Sequence, residues 1–120
     1  MWLMTKHGFY SIVEKEPDVF HVRSRERGDL EDLVKSVPLP GATIVASNAT
    51  DYRFRIIVGK DQVFDIMRFL GDTIDYSNFK NRIAATAEQA NKYHAYGEVW
   101  RVLAEDLGSY GRPGRTSSQR

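Results

Sequence analysis

A strict alternation of side chains between residues 52 and 58 constrains the fold more than any other stretch of the sequence. The even-numbered positions are Tyr, Phe, Ile and Val, whereas Arg53 and Arg55 stand between them. Because successive side chains of a β-strand point to opposite faces, this pattern predicts a strand with one apolar and one cationic face. Gly59 ends the predicted strand. The chain should therefore contain a sheet that buries one face and bears arginine on the other.

Other stretches have the composition of strands and extend this sheet. Residues 19–25 alternate between apolar side chains such as Val22 and cationic ones such as Arg23. Pro17 and Asp18, immediately before them, are typical of the turn of a β-hairpin. The predicted strands are 9–13 (with an extension back towards residue 2), 19–25, 43–46 and 52–58.

Two amphipathic stretches predict helices that alternate with these strands. In the first, apolar side chains recur from Leu30 to Val37 at the i, i+3, i+4, i+7 spacing, and Asp29 is the predicted N-cap. The second is predicted from residue 62 to about residue 70, with Asp61 as its cap. The resulting order is β-β-α-β-β-α. It indicates an α+β fold with an antiparallel sheet of about four strands packed against helices.

A longer helical pattern follows from residue 76 to residue 107. Apolar or small side chains recur there at alternating intervals of four and three residues, which forms a seam along one side of a helix. One helix of this length would measure about 48 Å, whereas a domain of this size has a radius of gyration near 13 Å. We therefore expect a helix that pairs with another copy or, as the favoured interpretation, a helix that breaks between Asn91 and Gly97.

The overall composition bounds the domain count and excludes several classes of site. Residues 1–108 are predicted to form one α+β domain. Residues 109–120, rich in Gly, Pro, Ser and Arg, are predicted to form a disordered basic tail. The absence of cysteine excludes disulfides, thiolate catalysis and cysteine zinc sites. The formal net charge of +1 does not favour any partner.

The sequence contains no pattern typical of a metal centre or a cofactor site. His7, His21 and His94 are far apart, and the glycine spacing of a phosphate-binding loop is missing. No metal and no cofactor are therefore expected. Neither a signal peptide nor a membrane-spanning segment is predicted, so the expected location is the cytoplasm. Catalysis is not required by any pattern, and a protein that binds is favoured over an enzyme.

The leading candidate site is the cationic face of the sheet. If the outward faces of the two alternating strands coincide, five basic side chains share it: His21, Arg23, Arg25, Arg53 and Arg55. Arginine suits phosphate and also stacks on bases, and Phe9 or Tyr10 could add a stacking platform. This favours a small binding or regulatory protein that takes nucleic acid or a nucleotide. An acidic protein partner, or a face that is cationic only for solubility, also fits the pattern.

A second candidate lies where the predicted helix 76–107 begins. Asp75 is its predicted N-cap, and a cleft is predicted from Tyr76, Asn78, Lys80 and His94. With His7, these groups would suit a metal-independent nuclease, although core and seam packing is the favoured explanation for most of them. The same helix also offers an alternative function, a protein-interaction module or a homodimer through its seam.

Four stretches together resemble a family of small uncharacterised bacterial proteins over roughly residues 1 to 107. They are residues 2–11 (WLMTKHGFYS), 51–56 (DYRFRI), 74–80 (IDYSNFK) and 98–100 (EVW). The relatives carry a longer insertion where residues 14–18 form a short turn. No activity is established for that family, so the resemblance implies no catalytic residue.

Overall fold

The computed structural model describes residues 1–108 and shows, in that part of the chain, an α+β protein with a five-stranded antiparallel sheet. The strands are β1 (Trp2–Met4), β2 (Phe9–Glu16), β3 (Val19–Ser24), β4 (Val45–Ala46) and β5 (Phe54–Val58), in the spatial order β1-β2-β3-β5-β4. The helices are α1 (Arg27–Ser36), α2 (Lys60–Asp72), α3 (Phe79–Ala84) and α4 (Tyr93–Leu107), with a 3-10 helix over Ala87–Lys92. The predicted α+β class and antiparallel sheet are confirmed, and the predicted tail lies outside the described residues.

The sheet has one strand more than predicted because residues 2–16 form two strands joined by a turn. The Thr5 hydroxyl donates to the Gly8 carbonyl oxygen at 2.8 Å and accepts from the Gly8 N–H at 3.1 Å. A threonine side chain favours turns through such bonds to the backbone. Beyond the turn, Leu3 of β1 lies opposite Tyr10 of β2.

One face of the sheet packs against α1 and α2. Val22 of β3 lies opposite Ile56 of β5, and both are fully buried together with Leu30, Leu33 and Ile66 of the two helices. The buried apolar cluster comprises Tyr10, Ile12, Val22, Leu30, Leu33, Val37, Leu39, Ile56, Val58, Ile66 and Leu70. Full burial of one such aliphatic side chain contributes about 1.5–3 kcal/mol. The cluster therefore stabilises sheet and helices together and leaves the other face of the sheet free of these helices.

The first helix begins three residues earlier than predicted. Its N-cap is Glu26 and its first residue is Arg27, so Asp29 lies in the first turn instead of capping it. Asp29 is buried, and its carboxylate accepts the Phe9 N–H at 3.1 Å. The Asp29 carbonyl oxygen accepts the Tyr10 hydroxyl at 2.8 Å. This aspartate therefore ties β2 to α1.

The second helix also begins earlier than predicted, at Lys60 with Gly59 as N-cap. The Gly59 N–H donates to Gln62 Oε1 at 3.0 Å. The carboxylate that caps the helix comes from the β2–β3 turn, since Asp18 Oδ1 accepts the Lys60 N–H at 2.8 Å. Asp61, the predicted cap, lies in the first turn, where a negative charge is also favourable.

The chain forms two compact units, Met1–Ser77 and Asn78–Arg120. Helix α3 opens the second unit, and its N-cap is Asn78, whose Oδ1 accepts the Asn81 N–H at 2.9 Å. The prediction that Asp75 caps this helix is wrong. Asp75 accepts instead from Lys6 Nζ at 2.8 Å, within the first unit.

The long helical pattern is broken, as favoured, but at a different place. Helix α3 ends at Ala84, and α4 runs without interruption through His94 and Gly97. The 3-10 helix between them overlaps the predicted break only at Asn91 and Lys92. Within the second unit, the rings of Phe79 and Tyr96 pack with their centres 5.4 Å apart. No helix in the described part of the chain is long and apolar enough to cross a membrane.

Candidate functional site

A row of side chains crosses the face of the sheet that α1 and α2 leave uncovered. In register from β1 to β4, it consists of Trp2, Ser11, Arg23, Arg55 and Val45. His21 and Ile57 lie opposite each other in the neighbouring row. Because paired residues of adjacent strands project to the same side, the arginines of β3 and β5 share one face, which we call the open face. Trp2 is 72% exposed and Ile57 is 50% exposed.

Tyr52, which precedes β5, contacts the arginines of the open face. The guanidinium carbon of Arg23 lies 4.6 Å from the centre of the Tyr52 ring, and that of Arg25 lies 4.4 Å from it. Arg55 Nη2 approaches the Tyr52 carbonyl oxygen at 3.5 Å, the limit of a hydrogen bond. The alternation predicts Tyr52 on the apolar face with Phe54, but Tyr52 is not part of the buried cluster. Its ring instead supports two guanidinium groups.

Arg55 and His21 are joined by a hydrogen bond across the two strands. Arg55 Nη1 lies 3.0 Å from His21 Nδ1. Because an arginine side chain only donates, His21 Nδ1 accepts this bond, and the ring is neutral with its proton on Nε2. The imidazole thus retains one N–H donor on the open face.

The electrostatic surroundings of His21 are positive. Partial burial is the largest cause that lowers the pKa of His21 below its ordinary value of 6.5. The charges of Arg55, Lys15 and Arg23 lower this pKa further, and the carboxylate of Glu16 opposes them. His21 is therefore a neutral member of a cationic group near pH 7.

Within the described residues, none of these arginines forms an ion pair. Arg23 Nη2 donates to Ser11 Oγ at 2.8 Å, and its buried Nε has no partner among residues 1–108. In the same range, no carboxylate lies within 4.0 Å of Arg23, Arg25 or Arg55, although a guanidinium has five N–H donors. We call His21, Arg23, Arg25, Tyr52 and Arg55 the arginine cluster. Most of its donor capacity has no partner in the described part of the chain.

The fifth predicted residue, Arg53, does not join the arginine cluster. Its guanidinium carbon lies 5.4 Å from the centre of the Phe54 ring. Phe54 packs against the buried cluster on the other side of the sheet. The Arg53 side chain therefore reaches towards the opposite side of the strand. The structure brings together the other four of the five predicted basic residues.

An aromatic pair at the β1–β2 edge completes the open face. The rings of Trp2 and Phe9 meet edge to face with their centres 6.0 Å apart. Tyr10, predicted from the sequence as the alternative to Phe9 for a stacking platform, projects into the core and is fully buried. Trp2 was not predicted as a site residue. Residues 2–4 are all apolar, so no alternation in the sequence marks Trp2 as an outward side chain.

The residues of the predicted cleft have other contacts. Asn78 caps α3, and Lys80 Nζ lies 4.8 Å from the centre of the Trp100 ring. His94 is exposed on α4. Tyr76 belongs to the first unit, whereas the other three belong to the second. No hydrogen bond joins Asn78, Lys80 and His94 within residues 1–108.

His7, the remaining residue of the nuclease hypothesis, lies on the helical side of the first unit. Its Nδ1 is 2.6 Å from Asp32 Oδ2, and its ring centre is 4.9 Å from that of Phe69. A nearby groove of about 390 Å³ is lined by Ser36, Val37, Pro38, Asp65, Arg68, Phe69 and Asp72. In the described part of the chain, no group of three side chains could hold a metal ion.

Comparison with protein-family models, with curated proteins and with solved structures finds no match for this chain. The chemistry of the open face is therefore the guide to function.

Proposed function

We propose that this protein is a small binding or regulatory protein, without catalytic activity, that binds a phosphate-bearing ligand on the open face. The ligand class is nucleic acid or nucleotide. The observation that supports the proposal is the arginine cluster itself, three guanidinium groups and a neutral imidazole that pair with no carboxylate of the described residues.

The arrangement has an electrostatic cost that an anion would remove. Since Arg23 and Arg25 both lie close to one ring centre, their guanidinium carbons are at most about 9 Å apart. Two like charges at about 9 Å repel by roughly 0.5 kcal/mol in water and about 2 kcal/mol at an effective dielectric constant near 20. Contacts with the Tyr52 ring offset part of this repulsion. A phosphate between the guanidinium groups would replace it with charge-assisted hydrogen bonds.

Salt dependence of binding tests the proposal. Fluorescence anisotropy would follow a labelled ten-nucleotide single strand and labelled ATP, starting at about 10 mM salt, where the Debye length is about 30 Å. Each phosphate contact to a single strand contributes a slope of about −0.7 to the dependence of log K on log salt concentration. Three arginines therefore predict a slope near −2 for the strand.

Two variants test whether the arginine cluster is responsible for this salt dependence of binding. Arg25→Ala, at an exposed position, should weaken binding and reduce the slope by about 0.7. The matched control is Arg68→Ala on α2, whose side chain is 73% exposed and pairs with Asp65. The proposal is wrong if neither probe binds at low salt, or if Arg68→Ala weakens binding as much as Arg25→Ala.

A second candidate function, self-association through α4, is favoured by the surface of that helix. Trp100, Leu103 and Leu107 recur at intervals of three and four residues and are 50–59% exposed. This spacing is typical of helices that pair along a seam, so we propose a second copy of this chain as the partner.

Sedimentation analysis of charge variants tests the self-association. The wild type should sediment as a dimer, and Leu103→Glu should sediment as a monomer. His94→Glu, which the helical period places on the opposite side of α4, should remain a dimer. A monomeric wild type at high concentration would contradict this candidate without affecting the first.

A further inference from the structure

The open face combines two kinds of surface that lie next to each other. The arginine cluster occupies β3 and β5, and the aromatic pair occupies the edge formed by β1 and β2. Trp2 is 72% exposed, a large fraction for the side chain with the greatest apolar area. Phe9 touches its ring at an angle and not face to face. An exposed tryptophan ring beside unpaired arginines is the combination that binds bases and phosphates at once.

The register fixes the separation between these two surfaces. Trp2 lies opposite Ser11, and Ser11 lies opposite Arg23, so two strand spacings separate Trp2 from Arg23. That is about 10 Å between backbones, equal to roughly three nucleotides at the 3.4 Å rise of a stacked strand. Ser11 is short, and its hydroxyl accepts from Arg23. No bulky side chain of the same row stands between the tryptophan and the arginines.

We infer that the ligand of the open face is single-stranded nucleic acid, with a base stacked on Trp2 and phosphates roughly three nucleotides further along the strand held by the arginine cluster. This inference rests on the proposed function. Base faces are accessible in single strands and are covered by their neighbours in a duplex, so a stacking tryptophan selects the single strand. The arginines bind the backbone, which every sequence shares, so sequence preference is expected to be weak.

The fluorescence of Trp2 provides a direct readout. The chain has two tryptophans, and Trp100→Phe leaves Trp2 as the single reporter. In that background, a ten-nucleotide DNA or RNA single strand should quench Trp2 as it binds. An abasic strand of equal length has the same phosphates and no bases, and it should bind without quenching, about 10-fold more weakly. A duplex of the same sequence should also fail to quench.

Substitutions then separate the stacking surface from the phosphate surface. Trp2→Ala should weaken binding of the normal strand about 10-fold, to the level of the abasic strand, and leave the affinity for the abasic strand unchanged. Val45→Ala, which removes an exposed apolar side chain at the other end of the same row, should change neither affinity. Both positions are exposed, so both variants should fold.

The possible outcomes distinguish this inference from the function on which it rests. If normal and abasic strands bind equally, with the expected salt slope and no quenching, phosphate binding stands and base stacking is overturned. If ATP quenches Trp2 and binds as tightly as the strand, or if the duplex does so, the single-stranded ligand is overturned. If neither the normal nor the abasic strand binds at low salt, the proposed function itself fails.

Discussion

Gly8, immediately before β2, lies so close to Asp29 of α1 that a larger residue at this position should lower the stability of the fold. A Cβ atom at position 8 would lie 2.5 Å from Asp29 Cγ and 2.6 Å from Asp29 Cβ. Non-bonded carbon atoms are normally at least about 3.5 Å apart, so Gly8→Ala forces one partner to move. Asp29 is 3% exposed in the first turn of α1, next to the fully buried Leu30. The helix therefore cannot shift without disturbing the core.

The cost of Gly8→Ala follows from the two ways in which the clash can be relieved. A backbone shift is an overpacking change, which costs about 1–3 kcal/mol. Rotation of the Asp29 side chain moves Cγ but leaves Cβ in place, so it relieves the clash only in part. It also breaks the hydrogen bond with the Phe9 N–H, a loss of about 1.5–3 kcal/mol for a bond to a charged group. We expect Gly8→Ala to lower the free energy of unfolding by about 2–3 kcal/mol. For a domain of this size that corresponds to a fall in Tm of roughly 10–20 °C.

Urea denaturation with matched variants measures this effect. The Gly8→Ala midpoint should fall without a change in the m-value. Gly28→Ala is the control: nothing lies within 4 Å of a Cβ there, and alanine should stabilise α1 by about 0.5–1 kcal/mol. In an Asp29→Gly background Gly8→Ala should be nearly neutral, whereas in an Asp29→Ala background the clash with Cβ persists. A free energy of unfolding for Gly8→Ala that lies within about 0.5 kcal/mol of the wild-type value would refute the reasoning.

Three further predictions concern Asp18 and His21. Asp18, which has a positive φ of 62° and caps α2 through the Lys60 N–H, can be replaced by Ala, Gly or Asn. Asp18→Ala should cost about 1–2 kcal/mol, Asp18→Gly somewhat less because glycine accepts this φ, and Asp18→Asn least, in urea unfolding; equal losses for all three would contradict the cap. Since the pKa of His21 is lowered from 6.5, the unfolded state takes up a proton first, and stability should fall as pH decreases below 6.5 through the folded-state pKa. The difference in free energy of unfolding between wild type and His21→Gln should be constant above about pH 7.5 and should change below pH 6.5. A difference that stays constant from about pH 5 to about pH 8 would rule out a lowered pKa of His21. A bound phosphate would raise the pKa of His21, so nucleotide binding should strengthen over the same acidic range in the wild type and less in His21→Gln.

The four stretches on which the expected family resemblance rests include residues whose structural roles can now be named. In WLMTKHGFYS, Thr5 forms the turn, Gly8 makes room for Asp29, and Tyr10 bonds to the Asp29 carbonyl oxygen. Lys6 joins this stretch to Asp75 of IDYSNFK at 2.8 Å. The two stretches thus meet in the first unit, although 69 positions separate these residues in the chain.

The alternation of side chains determined the architecture of the sheet without help from the rest of the chain. The two-residue period of a strand and the 3.6-residue period of a helix are local steric properties. For this reason the apolar faces of β3, β5, α1 and α2, and the outward position of Arg23 and of Arg55 on their own strands, followed directly from the sequence. That the two arginines share one face depends on the pairing of β3 with β5. The extra strand was missed because a three-residue segment such as β1 is defined by its partner more than by its own composition.

Only the tertiary structure decided which polar groups meet. The predicted caps Asp29 and Asp75 bond instead to residues 20 and 69 positions away, and the cap of α2 comes from a residue 42 positions away from its partner. The arginine cluster has the same origin, because Tyr52 receives Arg23 and Arg25 only after β3 and β5 have paired. Local pattern sets the face on which a side chain lies. The partner that it finds there depends on packing between segments that are distant in the chain.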